Sequence, residues 1–194
     1  MRADTRWNNL NTAFNNYLAY IAKKRPRLSL SYVDLLYVSN LKGGNSSIID
    51  DAAEVDDRLK RYSAELKRIN KTTIGDKQLG TLTELQLDAF IKFADTFIQL
   101  PLRPDIRIRG FGASYASALL AAHFPALAPI LDRNVLAGAD ISYRRTKQKQ
   151  VIHIESYYAE LIRRLHRWQK DTRQSLREVD HDFFVAGSGK LADK

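Results

Sequence analysis

Apolar residues return every three or four positions along nearly the whole chain, and this spacing commits it to helices. Trp7, Leu10, Phe14, Tyr17 and Ile21 form one such stripe, so residues 4–24 read as an amphipathic helix that Pro26 ends. Ser31 is placed to cap a second helix, YVDLLYVSNLK, which Gly43-Gly44 stops. Asp50-Asp51 opens a third, with Val55, Leu59, Tyr62, Leu66 and Ile69 on its buried side and acids where the helix dipole favours them. Thr83 can cap a fourth, whose Phe90, Ile91, Ala94 and Phe97 face inward. Further helices are expected from Gly112 to near Pro125 and in a short piece beginning RNVLAGA after Asp132. Another is expected over 148–169, burying Tyr158, Leu161, Ile162, Leu165 and Trp168. Ser175 and Glu178 have capping-box spacing and open a last one over VDHDFFVAG. Residues 100–110, LPLRPDIRIRG, are the exception: prolines bracket Arg103, and IRIR alternates like a short extended segment. The expected fold is all-α, a two-lobed domain of eight or nine helices over residues 1–187 with a flexible tail at 188–194.

The side-chain inventory removes whole classes of chemistry. The 194 residues include no cysteine, which excludes disulfides, thiolate nucleophiles and cysteine-ligated metal sites. The four histidines, at 123, 153, 166 and 181, are scattered, so neither a metal nor a cofactor is expected. No apolar run reaches membrane-spanning length and the first ten residues are polar, so the expectation is a monomeric cytoplasmic protein with no membrane partner. Net charge is +9, and the excess is uneven. Between 103 and 149 stand Arg103, Arg107, Arg109, Arg133, Arg144, Arg145, Lys147 and Lys149, opposed by Asp105, Asp132 and Asp140 alone. Such a cluster favours a polyanion as partner.

The most informative stretch is GFGASYASALLAAHFPALAPILDRNVL, residues 110–136. Gly110 and Gly112 flank Phe111 in a tight turn, where glycine permits unusual backbone angles. A helix starts at once, and its first-turn amides and dipole can hold a phosphate. Ala113, Ser114, Ala116, Ser117 and Ala118 allow a neighbouring helix or DNA to come close, while Leu119 and Leu120 reach the core. Pro125 and Pro129 then bracket a turn delivering Ile130-Leu131-Asp132.

This combination resembles the signature of the helix-hairpin-helix DNA glycosylases, the superfamily of endonuclease III and the adenine DNA glycosylases. The first Gly and the Asp stand 22 positions apart, as in that family, and PILDRNV is similar to the adenine-glycosylase form. The resemblance implies a double-stranded DNA partner, a hairpin gripping a phosphate, and a nucleotide flipped into a pocket between two lobes. Asp132 would stabilise the sugar cation or position the attacking water. Gly110, Gly112, Ser114, Arg107, Arg109, Arg133, Arg144 and Arg145 would contact DNA. Strand-cleaving members carry Lys where this chain has Ser114, so base removal without strand cleavage is implied. The chain departs from the family in its missing cluster cysteines and in LPLRPDIRIRG, which stands where a helix should lead into the hairpin. It also lacks the early-helix Glu that adenine glycosylases use as an acid: VSNLKGGNSS, residues 38–47, contains none, although Asn40, Lys42 and Asn45 could line a base pocket. The alternative is a DNA-binding protein that keeps the fold without catalysis, for instance within a DNA-processing or phage-defence system.

Overall fold

The stripe of α1, Ala3–Lys23, turns Trp7, Phe14, Tyr17 and Ile21 into the core, as its spacing requires. The structure is a computed structural model and describes residues 3–44, 47–72 and 74–192. Among these residues there are eight α-helices and no strand, so the fold is all-α. After α1 come α2 (Tyr32–Leu41), α3 (Ala52–Asn70), α4 (Glu84–Gln99) and α5 (Ala113–His123). The rest are α6 (Arg133–Gly138), α7 (Tyr158–Thr172) and α8 (Leu176–Ala192). The expected caps form, Ser31 closing a box with Asp34 at the start of α2. Asp51 accepts from the Ala53 N–H at 2.9 Å, Thr83 and Gln86 close a capping box, and so do Ser175 and Glu178. Each satisfies backbone N–H groups that the first turn of a helix leaves over.

α5 is buried along most of its length and packs against α1, α2 and α4. Its small residues serve this packing: Ala116, Ala118 and Ala122 are sealed beside Leu119 and Leu120. α8 returns along α1 and α6, so the first and last helices meet. α6 and α8 approach so closely that a side chain at Gly187 would come within 1.8 Å of the Asn134 carbonyl oxygen. One at Gly138 would come within 1.9 Å of the Phe183 carbonyl oxygen.

Four expectations need correction. The helix expected over 148–169 begins at Tyr158, after a 3-10 turn at Ile154–Tyr157. Residues 144–152 instead form a loop closed by a bridge between Arg145 and Val151, with Lys149 and His153 at positive φ (61° and 50°). That charged run has no apolar stripe to bury, so nothing repays helix formation there. Trp168 is 41% exposed, because the buried stripe of α7 runs through Leu165 and Gln169. Gln169 uses both ends of its amide, on the Gly80 N–H and the Gln174 carbonyl. The residues expected as a tail from 188 continue α8 to Ala192, anchored by the Gly187 contact and by Lys190 reaching Asp140. Finally, IRIR is a set of turns following a 3-10 turn at Leu100–Leu102. Its alternation survives only as burial, with Ile106 and Ile108 inward and Arg107 and Arg109 outward.

Candidate active site

The segment Pro129–Leu131 belongs to no helix or strand, so side chains must satisfy its backbone. Tyr158 Oη donates to the Pro129 carbonyl at 2.8 Å. Ser114 Oγ donates to the Leu131 carbonyl at 2.7 Å, and the Leu131 N–H donates to Ser117 Oγ at 2.8 Å. Two serines on the first turns of α5 therefore hold the residue preceding Asp132. Asp132 then caps α6, its Oδ1 accepting from the Asn134 N–H at 2.8 Å.

The second oxygen of Asp132 meets a lysine from a distant helix. Lys42 follows α2 directly, where the chain turns through Gly43 at φ 86°, and its Nζ donates to Asp132 Oδ2 at 3.1 Å. The Lys42 side chain is 11% exposed and that of Asp132 25%. Burial by itself would push the Asp132 carboxyl up. The Lys42 charge, the Asn134 N–H, the Lys42 hydrogen bond and the Arg6 charge outweigh it and hold the carboxyl below its ordinary 3.8. The pair opens on a narrow cleft of about 30 Å³, walled by Trp7, Leu10, Ile130 and Phe184 and completed by Arg177 and Asp180 of α8.

The Gly110–Gly112 turn stands at the head of α5. Gly110 has φ 87°, which a side chain would strain, and Phe111 packs edge-on to Tyr62. Gly112 precedes α5 with no side-chain cap and open space around it. Arg109 is committed elsewhere: its backbone N–H and guanidinium both bind Asp50, which Arg58 also holds. These contacts, the Arg109 N–H first, keep Asp50 below its ordinary value and fasten the segment before the turn onto the start of α3. Arg107 is exposed, and its carbonyl accepts from Arg58. Arg133 reaches the Lys149 carbonyl at 3.1 Å, which ties the 144–152 loop to the Asp132 corner. Arg144 and Arg145 stand exposed on that loop, Arg145 over the Tyr143 ring.

Of the expected pocket residues, Lys42 reaches the cleft, whereas Asn40 is exposed and does not line it. Asn45 lies outside the described residues. Ser114 is bound to the Leu131 carbonyl and so acts as a brace for Asp132. Arg177 and Asp180 are the cleft residues that sequence reasoning misses. Their one signal is an acid at 180 lying on the apolar stripe of α8, between Leu176 and Phe184. Among the described residues no group of three or more His, Cys, Asp or Glu side chains could hold a metal ion, and no helix is long and apolar enough to cross a membrane. No protein-family model, curated protein or solved structure matches the chain.

Proposed function

We propose that this protein is a DNA glycosylase that removes a flipped base by hydrolysis, with Asp132 as the carboxylate facing the sugar. The observation that carries the reading is Asp132 itself. It is ionised, largely enclosed, fixed by a cap at one oxygen and a lysine at the other, and braced from the first turns of α5. As the C1′–N bond breaks, positive charge develops on the sugar, and a fixed carboxylate in a water-poor cleft stabilises that charge without reorganising. The Gly112 end of α5 and the exposed Arg107, Arg144 and Arg145 are the donors this reading assigns to DNA phosphates. Lys42 is engaged on the Asp132 carboxylate, so the reading remains base release without an amine adduct on the sugar.

The test uses duplex oligonucleotides each bearing one uracil, hypoxanthine, oxidised guanine or ring-alkylated guanine. The wild-type protein is expected to leave abasic sites in at least one of them. Asp132→Asn is expected to lower that rate by about 10²–10³-fold with duplex affinity unchanged. Absence of abasic sites from every duplex sinks the proposal. Borohydride trapping of a covalent adduct that Lys42→Ala abolishes would overturn hydrolysis in favour of strand cleavage.

One feature favours the non-catalytic alternative. The cleft's 30 Å³ accommodates a water molecule or two, whereas pockets for base-sized ligands run to about 300 Å³ or more. A base therefore enters only if the lining side chains part. Salt-sensitive duplex binding with no base release from any substrate would establish the binding-only reading.

A further inference from the structure

α8 buries Leu176, Val179, Phe183 and Phe184, and Asp180 sits among them with a side chain 5% exposed. An ionised carboxylate in that setting is costly unless both oxygens find partners. One does. Arg177 Nη1 donates to Asp180 Oδ2 at 3.0 Å. The guanidinium is itself clamped, 4.1 Å above the Trp7 ring and 4.6 Å from that of Phe14, with its Nε on Asn11 Oδ1. Among the described residues the other oxygen, Oδ1, is buried without any hydrogen-bond partner. Asp180 lines the same cleft as Asp132 and Lys42. A buried, unpaired oxygen at the wall of a cleft is placed for a group that enters the cleft.

We infer that Asp180 is the general acid of this site, its Oδ1 carrying the proton that the departing base takes up. This rests on the glycosylase reading. The Oδ1–H bond breaks as the proton passes to a nitrogen or oxygen of the base, and the C1′–N bonding pair leaves with the base. Asp132 faces the sugar cation. Water then adds its oxygen to C1′ and returns a proton to the Asp180 carboxylate, so the acid is regenerated and the sum is hydrolysis.

The surroundings divide labour between the two carboxyls. Around Asp180 stand Arg177 on its own helix, Lys42 at the end of α2, Asp132 before α6 and Tyr158 on α7. Burial raises the Asp180 carboxyl most, Arg177 and Lys42 pull it down, and the Asp132 charge pushes it up, leaving it at about 6. Asp132 is held low in the same cleft. Carboxyls pushed apart in this way suit one to give a proton while the other stays charged. The close contact of Gly138 and Gly187 brings α8 near enough to α6 for the two to share a cleft.

The experiment measures base release by wild type, Asp132→Asn and Asp180→Asn from pH 5 to 8 on the same duplexes. For a neutral base, wild-type rate is expected to fall about tenfold per pH unit above about 6. Asp180→Asn is expected to lose about 10²-fold at pH 6 and to lack that descending limb. For ring-alkylated guanine, a cationic base in the nucleotide that leaves neutral without protonation, the loss in Asp180→Asn should be smaller than on neutral bases, and a circular-dichroism spectrum and thermal melt like those of wild type show that the variant is folded. Release that depends on Asp132 but not on Asp180 overturns the acid role and leaves the glycosylase reading standing. So does a wild-type rate on neutral bases that is flat from pH 5 to 8, or activity confined to the cationic base. No release from any duplex removes both.

Discussion

Two lysines in this protein stand just past the ends of their helices and reach a carboxylate, and their surroundings could hardly differ more. Lys24, just beyond α1, binds Asp34, which is fully buried. Asp34 also accepts from Tyr17 Oη at 3.0 Å, from the Ser31 N–H at 2.8 Å and from Ser31 Oγ at 3.1 Å. Both of its oxygens are thus engaged, by four donors in all, and the cluster rivets α1 to α2. Lys42, just beyond α2, binds Asp132 beside a second carboxyl, Asp180, with one oxygen unpaired at a cleft. A saturated buried carboxylate locks structure. An unsaturated one keeps capacity for a ligand, at a cost that the rest of the fold must offset.

The largest expected effect breaks the saturated cluster. Asp34→Ala leaves Lys24 and Tyr17 unpaired and should cost about 3–5 kcal/mol in denaturant unfolding. Asp132→Asn keeps a capping side chain and should cost about 1 kcal/mol or less. Equal costs would erase the contrast between the two sites. Next, Gly187→Ala forces α8 off α6 and should cost about 3 kcal/mol by thermal melt. Base release should fall more than stability alone would predict, because α8 carries Asp180.

Stability against pH separates the clusters further. His123, edge-on to Tyr17, is pushed down to about 4, by burial first and also by Lys24 and Arg27, against the pull of Asp34. Its neutral form stabilises the fold fully above 6.5, and that contribution is lost as pH falls toward 4. Asp180 works in the opposite sense. Its protonated form stabilises fully below 3.8, and the contribution is lost as pH rises through about 6. Each is worth about 3 kcal/mol, so between pH 4 and 6 the two offset and the wild-type protein should be nearly level. His123→Phe should unmask a loss of stability with rising pH, and Asp180→Asn a loss with falling pH. Parallel curves for the two variants would contradict the opposed shifts.

The smallest effect concerns surface charge. Arg144→Ala with Arg145→Ala should weaken duplex binding and flatten its salt dependence by about two units of slope. Arg109→Ala, whose partner is Asp50, should lower stability with less change in that slope. The reverse ranking would move the DNA contact from the 144–152 loop to the segment before Gly110.

Most helices are legible in the sequence because their signals are local. The stripe of α1, the Thr83–Gln86 and Ser175–Glu178 boxes and the Asp132 cap are each built from residues a few positions apart. The start of α7 is not legible, because Lys147, Gln148, Lys149 and Gln150 are tolerated by a helix yet give it nothing to bury. Trp168 misleads for a related reason: an aromatic at helical spacing looks buried until a neighbour such as Gln169 takes the inward place. At the site, Asp132 and Lys42 can be named from sequence, while their contact cannot.

The sequence alone determines an all-α chain, a glycine turn ahead of a small-residue helix, and an aspartate at the start of a short one. These features arise from backbone sterics and from capping, which act over one turn. Only the tertiary structure decides that residues 42, 132 and 180 share one cleft, that Arg177 occupies one oxygen of Asp180 and that the other is left bare. Those facts depend on how α2, α6 and α8 pack, through contacts such as Gly138 against Phe183 and Gly187 against Asn134, and no spacing along the chain encodes a meeting of segments so far apart.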